Sequence, residues 1–278
     1  MVSTTRILLT AVLATSAILP ARSKAQTDGI APAGAVFVMT NSADKNEIIA
    51  YKRAADGSLQ EGRSFPTGGR GSGGVTDPLA SQGSLTLGQD HSLMFAVNAG
   101  SGSISVFRIH GARLSLLDRV PCRGSEPVAV AQHGSLVYVV NAGGTSNVAG
   151  FRLDRMAGKL KPIPGSIAFL STGNSGAASL SFSPDGQFLL VTEKLTNNID
   201  VFHIQTDGTL AKIVINPSAG PGAFAVQFAP NGAALVSETG PAGGNQRFGH
   251  LVLLRSRQWH SLSYQHQCSD VGGSNLLA

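Results

Sequence analysis

Two acidic residues occupy the same place in two successive repeats of this chain. Glu193 ends the apolar run Phe-Leu-Leu-Val-Thr-Glu, and Glu238 ends the similar run Ala-Leu-Val-Ser-Glu, 45 residues later. If the fold brings these carboxylates together, their repulsion would raise the pKa of one of them. Such a group is suited to act as a general base, with the neighbouring cation Lys194 binding the substrate. The alternative is that both glutamates only end strands and form hydrogen bonds in turns.

Other polar residues are weaker candidates for substrate binding. Asn98 and Asn141 hold the same place in two earlier repeats, and because Ala-Gly follows each, turn formation is the simpler interpretation. Gln82 lies near a predicted inner strand. The histidines share no position and have no metal-ligand spacing, and there is no nucleophilic serine motif. We therefore expect neither a metal nor a cofactor.

The elements that position these residues are repeated β-hairpins. In residues 93–107 an apolar run ends at Asn98, Ala-Gly-Ser-Gly forms a turn, and a second apolar run returns. The pattern recurs with polar anchors 57, 43, 52 and 45 residues apart. The anchors are Asn41, Asn98, Asn141, Glu193 and Glu238. A period near 45 residues with several short strands per unit predicts a β-propeller; the alternative, a β-sandwich, does not repeat one turn in each unit.

Each unit is predicted to hold four antiparallel strands. Before the hairpin comes an alternating strand such as Ala178-Ser-Leu-Ser-Phe182, followed by a turn such as Ser183-Pro-Asp-Gly186. After the hairpin come another turn and an outer strand. The fold class is thus all-β, a propeller of four-stranded blades, of which four to five are present. The innermost strands begin near Leu85, Val130, Leu180 and Val226.

Composition excludes several classes of function. The chain has 278 residues, 42% apolar and 13% charged, so it can bury a core. Its net charge is +5, but Lys and Arg are scattered, and nucleic-acid binding is not expected. The glycines of residues 68–74 formally match a dinucleotide-binding fingerprint. No helical period follows them, so a loop between blades is the better interpretation.

The first 25 residues have the pattern of an export signal. Arg6 precedes an apolar run over residues 7–19, and Ser23-Lys-Ala25 offers small residues at a cleavage site. The run is too short to span a bilayer, and no longer one follows. We expect an exported protein, periplasmic or secreted, without a membrane span. An uncleaved anchor is the alternative. With only two cysteines there is no disulfide framework, and we expect Cys122 to be free.

Several short motifs recur in a fixed order. They are Gln82-Gly-Ser84, Val97-Asn-Ala-Gly100, Val140-Asn-Ala-Gly-Gly144, Phe182-Ser-Pro-Asp-Gly186, Val191-Thr-Glu-Lys194, Asn216-Pro-Ser-Ala-Gly-Pro221 and Val236-Ser-Glu238. Their order and spacing resemble the lactonase family of seven-bladed β-propellers, which includes 6-phosphogluconolactonase-like and carboxymuconate cyclase-like enzymes. The resemblance covers residues 35–238.

This resemblance implies a function. It implies a lactonase-like hydrolase or cyclase that acts on a small carboxylated or sugar lactone, with Glu193 as the preferred base. The resemblance also implies Glu, Arg and His groups at the central site, but the paired Pro-His segments of some branches are absent here. The alternative is a non-catalytic exported propeller that binds a ligand or a protein.

The repeat pattern stops near His250. We hypothesise that a frame-shifted tail follows, because residues 258–278 read one base forward can begin Ser-Gly-Thr-Leu, as in the turns of earlier blades. Only the Gly of that reading is forced by the codons. We divide the chain into a signal (1–25), a partial propeller domain (26–249) and a non-homologous tail (250–278). We expect this truncated form to have an unpaired edge strand and impaired activity.

Overall fold

Within the described part of the chain, five antiparallel sheets follow one another, one for each repeat. The computed structural model describes residues 34–75 and 80–240, and the backbone of Leu251–Leu254. The first blade holds β1 (Gly34–Met39), β2 (Glu47–Arg53) and β3 (Arg63–Pro66). The second holds β4 (Leu85–Leu87), β5 (Leu93–Asn98), β6 (Ser103–His110) and β7 (Arg113–Pro121), with a short 3₁₀ turn at Ala99–Ser101.

The later blades are also antiparallel and hold five, four and three described strands, so the predicted four strands are described in only some of the blades. The third holds β8 (Ser125–His133), β9 (Leu136–Gly143), β10 (Asn147–Asp154), β11 (Lys159–Pro162) and the short β12 (Ala168–Phe169). The fourth holds β13 (Ala177–Phe182), β14 (Phe188–Glu193), β15 (Asn198–His203) and β16 (Val214–Pro217). The fifth holds β17 (Ala223–Phe228), β18 (Ala234–Glu238) and β19 (Leu251–Leu254). The predicted all-β architecture of antiparallel blades is confirmed.

The central strands of the second, third and fourth blades are apolar on both faces, because each of these blades packs against two neighbours. Every residue of β5 and of β14 is buried. Successive side chains of a strand point to opposite faces, so one half packs on the preceding blade and the other half on the following blade. Among the described residues, four hydrophobic clusters result, one at each joint between successive blades. This explains why the sequence shows apolar runs in β5 and β14 rather than strict alternation.

The glycine-rich loop after β3 binds closely to its surroundings. The Gly71 N–H donates to the Ser42 carbonyl at 2.7 Å, and the Gly100 N–H donates to the Arg70 carbonyl at 3.1 Å. A Cβ at Gly71 would lie 2.3 Å from the backbone of Asn41. The loop therefore needs glycine for close approach of the backbone, and no phosphate-binding helix follows it in the described residues.

Two predictions from the sequence concern other parts of the chain. The predicted signal and most of the predicted tail lie outside the described residues. Leu251–Leu254, at the start of that tail, form β19 and pair with β18, so this segment still belongs to the fifth blade. Among the described residues, no helix is long and apolar enough to cross a membrane.

The packing between blades predicts a contrast between two phenylalanines. Phe151 is fully buried between the second and third blades, whereas the Phe169 side chain is 60% exposed. Phe151→Ala should lower the free energy of unfolding by about 3–5 kcal/mol, because it leaves a cavity. Phe169→Ala should lower it by less than about 1 kcal/mol. Urea unfolding followed by circular dichroism measures both; equal losses would show that the joints are not the core.

Candidate functional site

Asn98 joins the second blade to the first. Its side chain is fully buried at the end of β5. The Thr67 hydroxyl, just past β3, donates to Asn98 Oδ1 at 2.6 Å, and Asn46 Nδ2 donates to the same oxygen at 3.0 Å. Asn98 Nδ2 in turn donates to the Ser105 hydroxyl at 2.9 Å. Within the described structure this amide has partners on both sides, so it acts as a connection between blades.

The same connection recurs in later blades. Asn141 is buried at the equivalent point of β9 and donates through Nδ2 to the Cys122 carbonyl at 3.3 Å, just past β7. Glu238, at the end of β18, accepts hydrogen bonds from the Ser218 hydroxyl at 2.5 Å and from the Gly220 N–H at 2.6 Å. We call Asn98, Asn141, Glu193 and Glu238 the joint residues, because each contacts the segment that follows the last long strand of the preceding blade.

Glu193 is the joint residue of the fourth blade, and it is fully buried. Its Oε1 accepts the Ser171 N–H at 2.9 Å, and its Oε2 accepts the Asn198 amide at 3.2 Å. The hydroxyls of Ser171 and Thr196 also donate to this carboxylate. A carboxylate that already accepts these four bonds is held rigidly in the joint.

A second carboxyl group lies beside Glu193 on the same face of the β14–β15 hairpin. Asp200 is opposite Val191 in the register, one diagonal step from Glu193, and it is fully buried. Neither Asp200 oxygen has a hydrogen-bond donor among the described residues. Two carboxylates that are buried side by side on one face of a hairpin cannot both stay ionised. We conclude that Asp200 carries a proton and donates it to Glu193.

The pKa shifts agree with this pairing. Burial, followed by the hydrogen bond and the charge of Glu193, raises the pKa of Asp200 to about 9. For Glu193, burial acts to raise the pKa, but hydrogen bonds from Asp200, Ser171 and Thr196 outweigh it, so the pKa is lowered. At neutral pH the pair therefore shares one proton. The raised pKa falls on Asp200, a residue that the repeat pattern did not single out.

The structure does not bring the other predicted site residues together. Glu193 and Glu238 have separate sets of partners at successive joints. Lys194 Nζ lies 5.4 Å from the centre of the Phe224 ring. Gln82 is exposed, and its backbone N–H donates to the Ala178 carbonyl at 2.8 Å. The roles predicted for these residues in catalysis and binding remain predictions.

A cavity of about 320 Å³ lies beside β1, β4 and β8. Its apolar wall is formed by side chains such as Phe37, Leu85 and Val97. Its polar lining consists of Asn41, Ser72, Ser81, Ser84 and Glu126. Among the described residues of the lining, Glu126 is the single charged group. A small, mostly apolar cavity with a few polar groups is the usual form of a ligand site.

Glu126 has a backbone conformation that points to function. Its φ is +53°, in the left-handed region that side chains other than glycine rarely adopt. The equivalent residues before the inner strands of the fourth and fifth blades are Gly176 and Gly222, with φ of +67° and +79°. A glutamate in place of glycine costs about 1–2 kcal/mol in backbone strain. Residues with strained backbone cluster at active sites and ligand sites, and Glu126 shares its positive φ with Asn41, which also lines the cavity.

The amino-acid sequence carries a signal for Glu126 that the repeat pattern alone did not reveal. In an alignment of the repeats, the residue before the first strand is glycine in Ser175-Gly-Ala177 and in Pro221-Gly-Ala223, but glutamate in Ser125-Glu-Pro127. The alternation of apolar and polar residues reveals the inner strands. The change from glycine to glutamate falls on the residue just before the strand, where no alternation marks it. Asp200 was similarly visible as a lone carboxylate inside the apolar run Ile199-Asp-Val-Phe202.

Comparison with known proteins identifies the family. Residues 34–172 and 166–239 match the family described as Lactonase, 7-bladed beta-propeller. This chain belongs to that family. No curated protein sequence matches the chain.

Solved structures of low sequence identity share the fold. A candidate 6-phosphogluconolactonase from Bacteroides fragilis is 20% identical over 72% of this chain, with a TM-score of 0.56, and the chain spans 62% of its length. The periplasmic gluconolactonase PpgL of Pseudomonas aeruginosa is 19% identical, with coverage of 77% and 68% and a TM-score of 0.53. Hydrazine synthase from Kuenenia stuttgartiensis is 14% identical, with coverage of 81% and 63% and a TM-score of 0.51. Such different proteins show that the fold alone does not define the reaction.

The carboxyl pair predicts how stability depends on pH. Because the folded pKa of Asp200, about 9, lies above the unfolded value near 4, the folded state binds more protons between these values. The contribution of Asp200 to the free energy of unfolding is therefore fully present below pH 4 and is lost as the pH rises towards 9. Asp200→Asn keeps a donor for Glu193 but does not titrate. Relative to the wild type, its free energy of unfolding should rise between pH 5 and pH 8 by about 1 kcal/mol per pH unit.

Urea unfolding at several pH values measures this difference. Asp44→Asn is the matched control, because it removes an exposed carboxyl group and leaves Glu193 and Asp200 in place. If Asp200→Asn and the wild type show parallel profiles from pH 5 to pH 8, the two carboxyl groups do not share a proton.

Proposed function

We propose that this protein is a lactonase-like hydrolase that opens a small sugar lactone in the cavity beside β8, with Glu126 as the general base. The observation that carries the proposal is the strained backbone of Glu126, the single charged group in the described lining of the cavity. Membership of the lactonase family supports it. Glu126 is half-buried, whereas the joint residue Glu193 is fully buried and does not line this cavity.

The chemistry requires a proton acceptor near the ester carbonyl of the lactone. Glu126 would take a proton from water, and the resulting hydroxide would attack the carbonyl carbon. The ring C–O bond would then break, and the ring oxygen would receive the proton held by Glu126. The products are a hydroxyl group and a carboxylic acid on one open chain. Hydrogen bonds from the polar lining would orient the substrate during this sequence.

The lining favours a neutral sugar lactone over a carboxylated one. Three serines and an asparagine offer hydrogen bonds to the hydroxyl groups of a sugar: Ser72, Ser81, Ser84 and Asn41. The described lining contains no Lys or Arg that would neutralise a substrate carboxylate, and Glu126 would repel it. The volume of about 320 Å³ falls at the small end of ligand sites. A monosaccharide lactone is therefore the substrate that we propose.

We also propose that the protein acts outside the cytoplasm. The sequence of residues 1–25 supports this with its predicted export signal. One structural neighbour is a periplasmic gluconolactonase. Fractionation of cells that express the full chain tests the proposal, and recovery in the cytoplasm alone would contradict it.

Hydrolysis of δ-gluconolactone by the purified full chain tests the reaction. Acid release should exceed the spontaneous rate, and Glu126→Gln should lower kcat by about 10²–10⁴-fold, as expected for loss of a general base. The control Asp44→Asn, an exposed acid, should keep the activity of the wild type. Thermal unfolding of each variant separates loss of the base from loss of the fold.

Two results would contradict parts of this proposal. If Glu193→Gln abolishes turnover while Glu126→Gln remains active, the base is the residue that the repeat pattern and the family resemblance favoured. If the folded full chain hydrolyses no sugar or muconate lactone, this chain is not an active lactonase. A propeller that only binds ligands would then be the better description.

A further inference from the structure

Arginines close the outer corners of two joints between blades. Arg108, near the end of β6, donates through Nη2 to the Met156 carbonyl at 2.8 Å, in the hairpin turn of the third blade. Arg152, near the end of β10, donates in the same way to the Asp207 carbonyl at 2.9 Å, in the turn of the fourth blade. Each guanidinium thus spans from one blade to the turn of the next.

The corner between the first and second blades is built differently. The register makes Lys52 on β2 equivalent to Arg108 and Arg152. Three equivalent residues near the start of these strands are Ile48, Ile104 and Val148, and each cation lies four residues further along its own strand. The next turn contains only Gly111 and Ala112, whereas residues 155–158 form the turn that Arg108 contacts. Lys52 has no side-chain hydrogen bond or ion pair among the described residues. The shorter turn therefore leaves the corner open.

An open cleft of about 550 Å³ lies at this corner. Lys52 and Arg63 line it from the first blade, and His110 and Arg113 line it from the second. Ala50 and Arg63 are opposite each other in the register, so Arg63 lies on the face of the blade that also carries Lys52. Glu61 is the one acidic residue in the described lining. Positive charge is therefore present on both walls.

These cations lack the partners that cations have at the next joint. Between the second and third blades, Arg155 pairs with Asp90 at 2.5 Å and Lys159 pairs with Asp118 at 3.4 Å. Of the described ion pairs, none includes Lys52, Arg63 or Arg113. Like charges gathered in one cleft repel each other, and a bound anion would remove that repulsion.

We propose that this cleft is a binding site for a small polyanion, a molecule that carries two or more phosphate or carboxylate groups. Arg63 and Arg113 can each form paired hydrogen bonds with such groups, and Lys52 adds a point charge. None of the described residues that line this cleft lines the cavity of Glu126. The site is therefore separate from the proposed catalytic cavity and does not depend on it.

Isothermal titration calorimetry of the full chain tests the site. Inorganic pyrophosphate is the phosphate probe, and citrate is the carboxylate probe. In about 0.1 M salt, where charges beyond about 10 Å are screened, Arg63→Gln and Arg113→Gln should each weaken binding of the stronger probe by about tenfold. Glu61→Gln should tighten it by a few fold, because a repelling carboxylate is removed. These opposite signs would not result from a general change in the fold.

Lys161→Gln is the matched control for net charge. Lys161 is an exposed cation on β11 of the third blade, outside the cleft. Its removal should leave the affinity of the probe within about twofold of the wild type, because the charge is distant. Equal weakening by Lys161→Gln and Arg63→Gln, or no binding of either probe, would overturn the proposal. Thermal unfolding confirms that each variant is folded.

Discussion

A buried polar side chain at the end of the second strand holds each later blade to the one before it. Apolar packing between blades is strong but non-directional, and many small shifts of one sheet over another would bury similar area. Hydrogen bonds require defined partners at defined distances. The bond from Thr67 to Asn98 links the end of the first blade to the hairpin of the second, and the bond from Ser218 to Glu238 does the same between the fourth and fifth blades. These bonds fix how successive sheets meet.

The change from asparagine to glutamate along the chain alters what a joint requires. Asn98 and Asn141 are neutral and can both donate and accept. Glu193 brings a charge into the interior, which is stabilised only if donors surround it. Donors come from residues 171, 196 and 198, and Asp200 adds a proton. One consequence is that the joint before the fourth blade becomes sensitive to pH, whereas the amides of Asn98 and Asn141 do not titrate.

Much of the fold could be predicted from the sequence, because turn chemistry and strand length repeat at a fixed period. Single-residue details could not. The repeat pattern aligns Asn41 with Asn98, but the register places Thr40 there, since the Thr40 N–H bonds to the Glu47 carbonyl and Met39 pairs with Ile48. Asp200 stands out in the sequence as a lone carboxylate in an apolar run, but its partner Glu193 follows only from the diagonal register. The repeat pattern singled out the polar residues at the ends of the second strands. It did not predict their partners in the preceding blade, because these partners are distant in the sequence.

Whether these side chains specify how the blades join is tested most directly by a double-mutant cycle between Asn98 and Thr67. Asn98→Ala, Thr67→Val and the double variant are compared with the wild type in urea unfolding. Because the hydroxyl and the amide are buried and 2.6 Å apart, the two losses should be non-additive, with a coupling free energy of about 1–3 kcal/mol. Losses that add to within about 0.3 kcal/mol would show that apolar packing alone positions the blades.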